Sequence, residues 1–285
     1  PRRTWDLKWG PYHLDRYLVI DTPADVSVTA TSTTGQYTEA TGISAAGILA
    51  AGANIAKATN DVTTSAHTRA GLGVQEHGGH QHGGNLAVRA TSTNDAVGKA
   101  IAGSGGVVSG VASKVETADT ATTQAHLGGG TNANPLRLAD VTVEARHNSD
   151  YRASLDSVQA SVWGASGAHA DHTITPQVTA NIAGGAPLRA DAIAVTAQTL
   201  VSNPKVDGYD LTSGSGGVVD AAAVRADSHV APMTKVVAAD NADLAIPGNS
   251  KGADRNLTLA AANDFDIDQR VRLDSGGAIS VAKGV

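Results

Sequence analysis

The stretch SGGVVSGVASKVETA, from Ser104 to Ala118, recurs at Ser215 as SGGVVDAAAVRADSH and at Ser275 as SGGAISVAKGV. Looser copies begin at Ala46 (AGILAAGANIAKAT) and Ser157 (SVQASVWGASGAHA). Five related segments in one chain define an internal repeat. A repeat whose parts keep one order restricts the fold to architectures in which each unit stacks on the last.

Two further blocks keep step with this one. The first reads DVSVTATST from Asp25, NLAVRATST from Asn85, DVTVEARHN from Asp140, AIAVTAQT from Ala192 and NLTLAAAND from Asn256. Its apolar anchors are Val26, Leu86, Val141, Ile193 and Leu257. The anchors of the opening block are Ile48, Val107, Val162, Val218 and Ile279, and the two sets advance together along the chain. The third block is a Thr/Pro turn and a short strand: TTSAHTRAG from Thr63, TTQAHLGGG from Thr122, TPQVTANIAGG from Thr175 and APMTKVVAAD from Ala231.

All three blocks alternate apolar and polar residues, the period of a strand with one buried face. No stretch carries a 3.6-residue apolar face over three turns. Glycine clusters at Gly71–Gly84, Gly128–Gly130 and Gly184–Gly185 separate the strands. The pattern predicts an all-β fold, a right-handed parallel β-helix (β-solenoid) of about five units of roughly 57 residues. The units lie near residues 25–84, 85–139, 140–190, 191–255 and 256–285, preceded by an N-terminal segment, 1–24. Two geometries are open: one wide rung per unit with three long sides, or three narrow rungs of about 19 residues each. The blocks differ from one another, whereas narrow rungs would stack block on block. The wide rung is therefore the expectation. Five such rungs at ~4.8 Å leave two broad edges of unpaired strand, so stacking on another chain or on further repeats is expected.

Composition narrows the function classes. The 285 residues contain Val 28, Leu 17, Ile 11 and Phe 1, or 20% of the chain, and alanine, glycine and threonine fill much of the remainder. Small and β-branched side chains suit closely stacked strands. The formal charge of −6 argues against a nucleic-acid partner. Cysteine is absent, which excludes disulfides and thiolate metal sites. No apolar run approaches the ~18–20 residues of a membrane span.

Candidate sites are few. His77, His80 and His82, beside Glu76 in EHGGHQHGG, are a candidate metal group, set against a solvent-facing corner insertion. Trp5, Trp9, Tyr12 and Tyr17 mark residues 1–24 as a cap or assembly arm. His67 and His126 hold equivalent positions and predict a short ladder. His169, His172 and His229 are expected near a corner. Asp264, Asp266 and Asp268 have the spacing of a calcium loop, but Gln269 and Ser275 stand where that loop needs glycine and an acid, so a strand with solvated carboxylates is expected. GSGG at Gly103 and Gly214 lacks the Lys-Ser/Thr of a phosphate loop. The threonine rows Thr29–Thr34 and Arg89–Asn94 offer a flat hydroxyl face suited to sugar or ice, or a plain solvated sheet. Scattered carboxylates (Asp95, Glu116, Asp119, Asp140, Glu144, Asp150, Asp156) carry no catalytic spacing, and no cofactor is implied.

The ordered series VTVEARHN, SGGVVSGVASKV and TTQAHLGGG, which recurs once per unit from about residue 24 to residue 285, resembles the filamentous-haemagglutinin-like adhesins and related giant repetitive bacterial surface proteins with β-solenoid shafts. That resemblance implies export to the cell surface and a shaft or fibre role, and transfers no catalytic residues. The expected function is a non-enzymatic structural subunit of an extracellular filament, partnered by copies of itself or by adjoining repeats. Two alternatives stand beside it: an adhesin module that binds glycan or host surface through corner loops at 71–84 and 203–210, and a polysaccharide-active β-helix enzyme with a carboxylate pair in a cleft.

Overall fold

The computed structural model describes residues 19–20, 25–68, 73–74, 84–128, 136–184, 187–204, 211–246 and 256–285. Trp5, Trp9, Tyr12, Tyr17, His77, His80 and His82 lie outside the described residues. The described residues form fifteen strands and no helix. In chain order these are β1 (Val19–Ile20), β2 (Val26–Ala45), β3 (Leu49–Asn60), β4 (Thr63–His67), β5 (Gly73–Val74), β6 (Leu86–Asp119), β7 (Thr122–Leu127) and β8 (Leu136–Ile174). They continue as β9 (Gln177–Ile182), β10 (Pro187–Asn203), β11 (Leu211–Val230), β12 (Met233–Ala238), β13 (Asp243–Ala245), β14 (Leu257–Ile267) and β15 (Val271–Gly284).

The described pairings are parallel, and each joins a block to its own copy one unit later. In the first row Val26 pairs with Leu86, Leu86 with Val141, Val141 with Ile193 and Ile193 with Leu257. These are the five anchors read from the sequence. In the second row Leu49, Val108, Trp163, Val219 and Ile279 stand over one another. Ile279 therefore stacks on Val219 and not on Val218, a one-residue correction to that anchor. In the third row Thr63, Thr122, Gln177 and Met233 align, two residues beyond the Thr175 and Ala231 at which the last two phrases begin. Pairing a whole unit apart excludes stacking block on block. The fold is thus all-β, with long parallel strands in parallel sheets.

Each unit has two long sides, not three. The first row runs out; the second and third rows return opposite it. Ser32 Oγ meets Thr64 Oγ1 at 2.8 Å, and Asn54 Nδ2 donates to the Ile101 carbonyl at 2.5 Å across the same interior. Ala40 packs with Ala56, Ala100 and Val115. The third block is too short to make a side of its own, and small side chains let the two layers close. A further row escaped the sequence reading. Leu136–Leu138, Leu188–Ala190 and β13 pair just ahead of the first row, and Leu136, Leu188 and Leu244 join the main core. The signal was present as L-R-L from Leu136 and L-R-A from Leu188, each shortly before its anchor.

The SGG phrase has a physical cause. It sits at the corner between the first and second rows, where successive units approach closely. A Cβ on Gly106 would lie 2.7 Å from the Ala46 carbonyl oxygen, and one on Gly277 would lie 2.6 Å from that of Gly217. Only glycine fits such an approach.

Unit lengths vary unevenly. The step from second row to third row is the same in all four complete units: Leu49 to Thr63, Val108 to Thr122, Trp163 to Gln177, and Val219 to Met233. The step from third row to the next first row is not constant. It is shortest from Gln177 to Ile193, longer from Thr122 to Val141 and from Thr63 to Leu86, and longest from Met233 to Leu257. Differences in unit length are thus taken up mainly where one unit passes to the next.

Candidate functional site

The corner built by SGG is also the most unusual surface. The valines after the glycines pair in the ladder, as expected, but they point to solvent. Leu49 is 68% exposed, Val108 43%, Trp163 56% and Ile279 62%, with Ile48, Val107, Val162 and Val218 beside them. The tight corner turns two consecutive residues outward, so the period-2 rule fails there. The result is an apolar ridge that runs across all five units.

Beyond the ridge the outward positions are small: Ala51, Gly110, Ala165 and Ala221, then Ala53, Ala112, Gly167 and Ala223. They lead into a trough of about 660 Å³ whose lining includes Ala53, Ala112, Gly167 and Ala223, with Lys114, His169 and Arg225 along its far wall. Carboxylates two residues further on pair with those side chains. Lys114 Nζ lies 2.6 Å from Glu116 and 3.8 Å from Asp171, Lys57 lies 3.6 Å from Glu116, and Asp227 takes both His169 (2.9 Å) and Arg225 (2.5 Å). The hydrogen bond to Glu116 raises the Lys114 pKa, and the same bond lowers that of Glu116. These pairs are solvated, so their worth is small. Glu116→Gln is expected to cost under about 1 kcal/mol in urea unfolding at pH 7.

The interior holds a polar network that resembles a catalytic set in connectivity. His147 Nε2–H donates to Asp119 Oδ2 at 2.9 Å, and Thr123 Oγ1 lies 3.4 Å from Nδ1. Asp119 Oδ1 accepts from Asn94 Nδ2 at 3.0 Å and from the Ala121 amide at 3.1 Å. Burial alone would raise the Asp119 pKa. The hydrogen bond and charge of His147, with the Ala121 amide, outweigh it and hold the carboxyl below its ordinary range. Asp119, His147 and Thr123 are all fully buried. No substrate reaches this hydroxyl, so the network positions the two layers and performs no acyl transfer.

His172 lies near the end of β8, beside the corner as expected, with its ring buried in the same interior. Its Nδ1 lies 2.6 Å from Thr117 Oγ1, and its ring centroid is 4.8 Å from that of Tyr151. Burial lowers its pKa to about 4. His169 faces outward within β8, against Asp227. His67 and His126 do pair, as the equivalence predicted, and burial followed by the His67 charge lowers the His126 pKa.

The remaining expectations resolve one by one. The threonine ladder is two units tall: Thr31 and Thr33 stand under Thr91 and Thr93, but Arg146 and Asn148 follow. Asp264 and Asp266 lie on β14, where Gln198 Nε2 donates to Asp264 Oδ2 at 2.9 Å. Asp95 and Asp150 occupy one column. Arg152 holds Asp95 at 2.7 Å, while burial and then the Asp95 charge raise the Asp150 pKa. That column faces outward from the first row, and its members do not line the trough. Among the described residues no group of three or more metal-ligating side chains converges, and no helix is long and apolar enough to cross a membrane. The corner segments 75–83 and 205–210 lie outside the described residues.

The end of the stack is open. Leu257 is 48% exposed, whereas its column partners Leu86 and Ile193 are 2% and 0% exposed. Leu259 and Phe265 on β14 are likewise uncovered, whereas their column partners Val195 and Val201 are fully buried. Set against known proteins, the chain matches no family model, no curated protein and no solved structure.

Proposed function

We propose that this chain is a structural segment of an extracellular bacterial fibre, a right-handed parallel β-solenoid that extends end to end on copies of itself or on adjoining repeats. The observation that carries this reading is the last unit, whose core positions are uncovered although the same columns are sealed one unit earlier. Hydrogen-bond geometry supports it. Val26 N–H donates to the Asn85 carbonyl at 2.8 Å and Ile193 N–H to the Asn256 carbonyl at 3.0 Å, so anchor-column amides point to the next unit. Along a strand, successive residues direct their amide groups to alternate sides. Among the described residues, Leu257, Leu259 and Ala261 therefore have unpaired N–H and C=O groups at one end, and Ser27, Thr29 and Thr31 at the other. The two ends match as any internal junction does.

Proline at Ala261 tests the reading, because it removes a free N–H without touching a bond inside the chain. Electron micrographs of the wild type are expected to show stacks longer than one chain, and Ala261→Pro is expected to shorten them to single particles with unchanged circular dichroism. A wild type that stays monomeric at micromolar concentration would overturn the proposal. Proline at Ala260, whose amide faces β10, is expected to destabilise the fold instead.

A further inference from the structure

We propose that the apolar ridge and the trough beside it form a lateral interface with a second copy of this chain, the ridge of each copy seated in the trough of the other. Where the end-to-end reading holds, this contact pairs two stacks side by side. The lateral face itself exists on a single chain.

The ridge is continuous from Leu49 through Val108, Trp163 and Val219 to Ile279. Contiguous apolar surface of this kind marks an interaction site. The adjoining floor carries nothing larger than a methyl group from Ala53 to Ala223, which lets an opposing ridge approach the backbone. Ridge and trough share one axis and one repeat, about 4.8 Å per unit, so a ridge from one copy meets a trough from another in register over the four units floored by Ala53, Ala112, Gly167 and Ala223, while Lys283 closes that column in the fifth. A patch that carries both knob and hole is self-complementary, as a two-fold interface requires.

The area suffices. The ridge spans five units, about 24 Å, and the open floor four, about 19 Å; with the run from Leu49 to Ile55 spanning about 23 Å, the pair buries about 900–1,100 Å². A specific interface needs about 1,000 Å². The charges lie where an interface places them. Lys114 with Glu116 and Asp171, and Arg225 with Asp227, form a paired polar margin, and the outward side of the first row, with Arg89, Glu144, Asp95 and Arg152, stays in water.

The experiment uses the full chain with Ala261→Pro, so that lateral association is measured without elongation. Sedimentation equilibrium is expected to give twice the chain mass, falling to the chain mass in the Val108→Glu/Trp163→Glu double variant, with circular dichroism retained because both side chains face outward. In the elongating background the same double variant is expected to halve the mass per unit length and leave stack length unchanged. Failure of elongation with retained dimers would sink the end-to-end reading alone. A monomer in the Ala261→Pro background, or a dimer that survives the double variant, overturns the lateral interface. A monomer that dimerises only after residues 1–18 are deleted assigns the ridge to the aromatic arm and equally overturns it.

Discussion

Replacing Asp119 with alanine is expected to lower stability by about 3–5 kcal/mol, because it leaves the buried donors of His147, Asn94 and the Ala121 amide without their acceptor. The carboxylate accepts from His147, from Asn94 and from the Ala121 amide, and none of these has solvent to turn to. Asn94 and His147 come from adjacent units of the first row and the Ala121 amide from the turn after Asp119, so their loss loosens the seam between the outward and returning layers. Urea unfolding in the Ala261→Pro background at pH 7 measures the loss directly. Asp119→Asn keeps the shape and one acceptor and is expected to lose less. A loss under about 1 kcal/mol for Asp119→Ala would show that the buried carboxylate does not hold the layers together.

Acidification is expected to remove about 3 kcal/mol through His172 alone. Its ring is neutral in the folded chain because burial lowers its pKa from 6.5 to about 4. Between those values the unfolded chain binds a proton and the folded chain does not, so stability falls as pH drops through that window. The size of the expected loss follows from the free energy of displacing one protonation equilibrium across that window. Below about pH 4 the folded ring protonates too and this contribution stops changing. Asp119 acts in a lower window. Its folded pKa is depressed, so its stabilisation is present above the ordinary aspartate range and is lost as pH falls through the folded value. His172→Gln keeps a polar partner for Thr117 and cannot titrate. Denaturation midpoints from pH 7 to 4 are expected to slope in the wild type and to flatten in the variant. Equal slopes would show that the acid response arises elsewhere.

The repeat made the first-row register legible to the residue, because Val26, Leu86, Val141, Ile193 and Leu257 each begin the same apolar–x–apolar phrase. The second row was legible except at Ile279, where the sequence offers an isoleucine one position past the true equivalent of Val218. Burial there is decided by the corner, which turns consecutive apolar residues such as Val107 and Val108 outward, an outcome that alternation does not predict. The Asp119–His147 pair was illegible for another reason. The two residues lie in different units and different rows, and only the folding back of the return layer brings them together. The burial of His172 was illegible by the same logic, since its place in the sequence gives no hint that Tyr151 and Thr117 surround it.

The unvarying step between second and third rows, against the uneven step from one unit to the next, gives the molecule a fixed spine and a permissive margin. Segments inserted at that margin leave every ladder position in place. They would project from one border of the stack at intervals of one strand spacing, ~4.8 Å. Sequence change at that border can alter what the molecule displays while the scaffold beneath keeps its register.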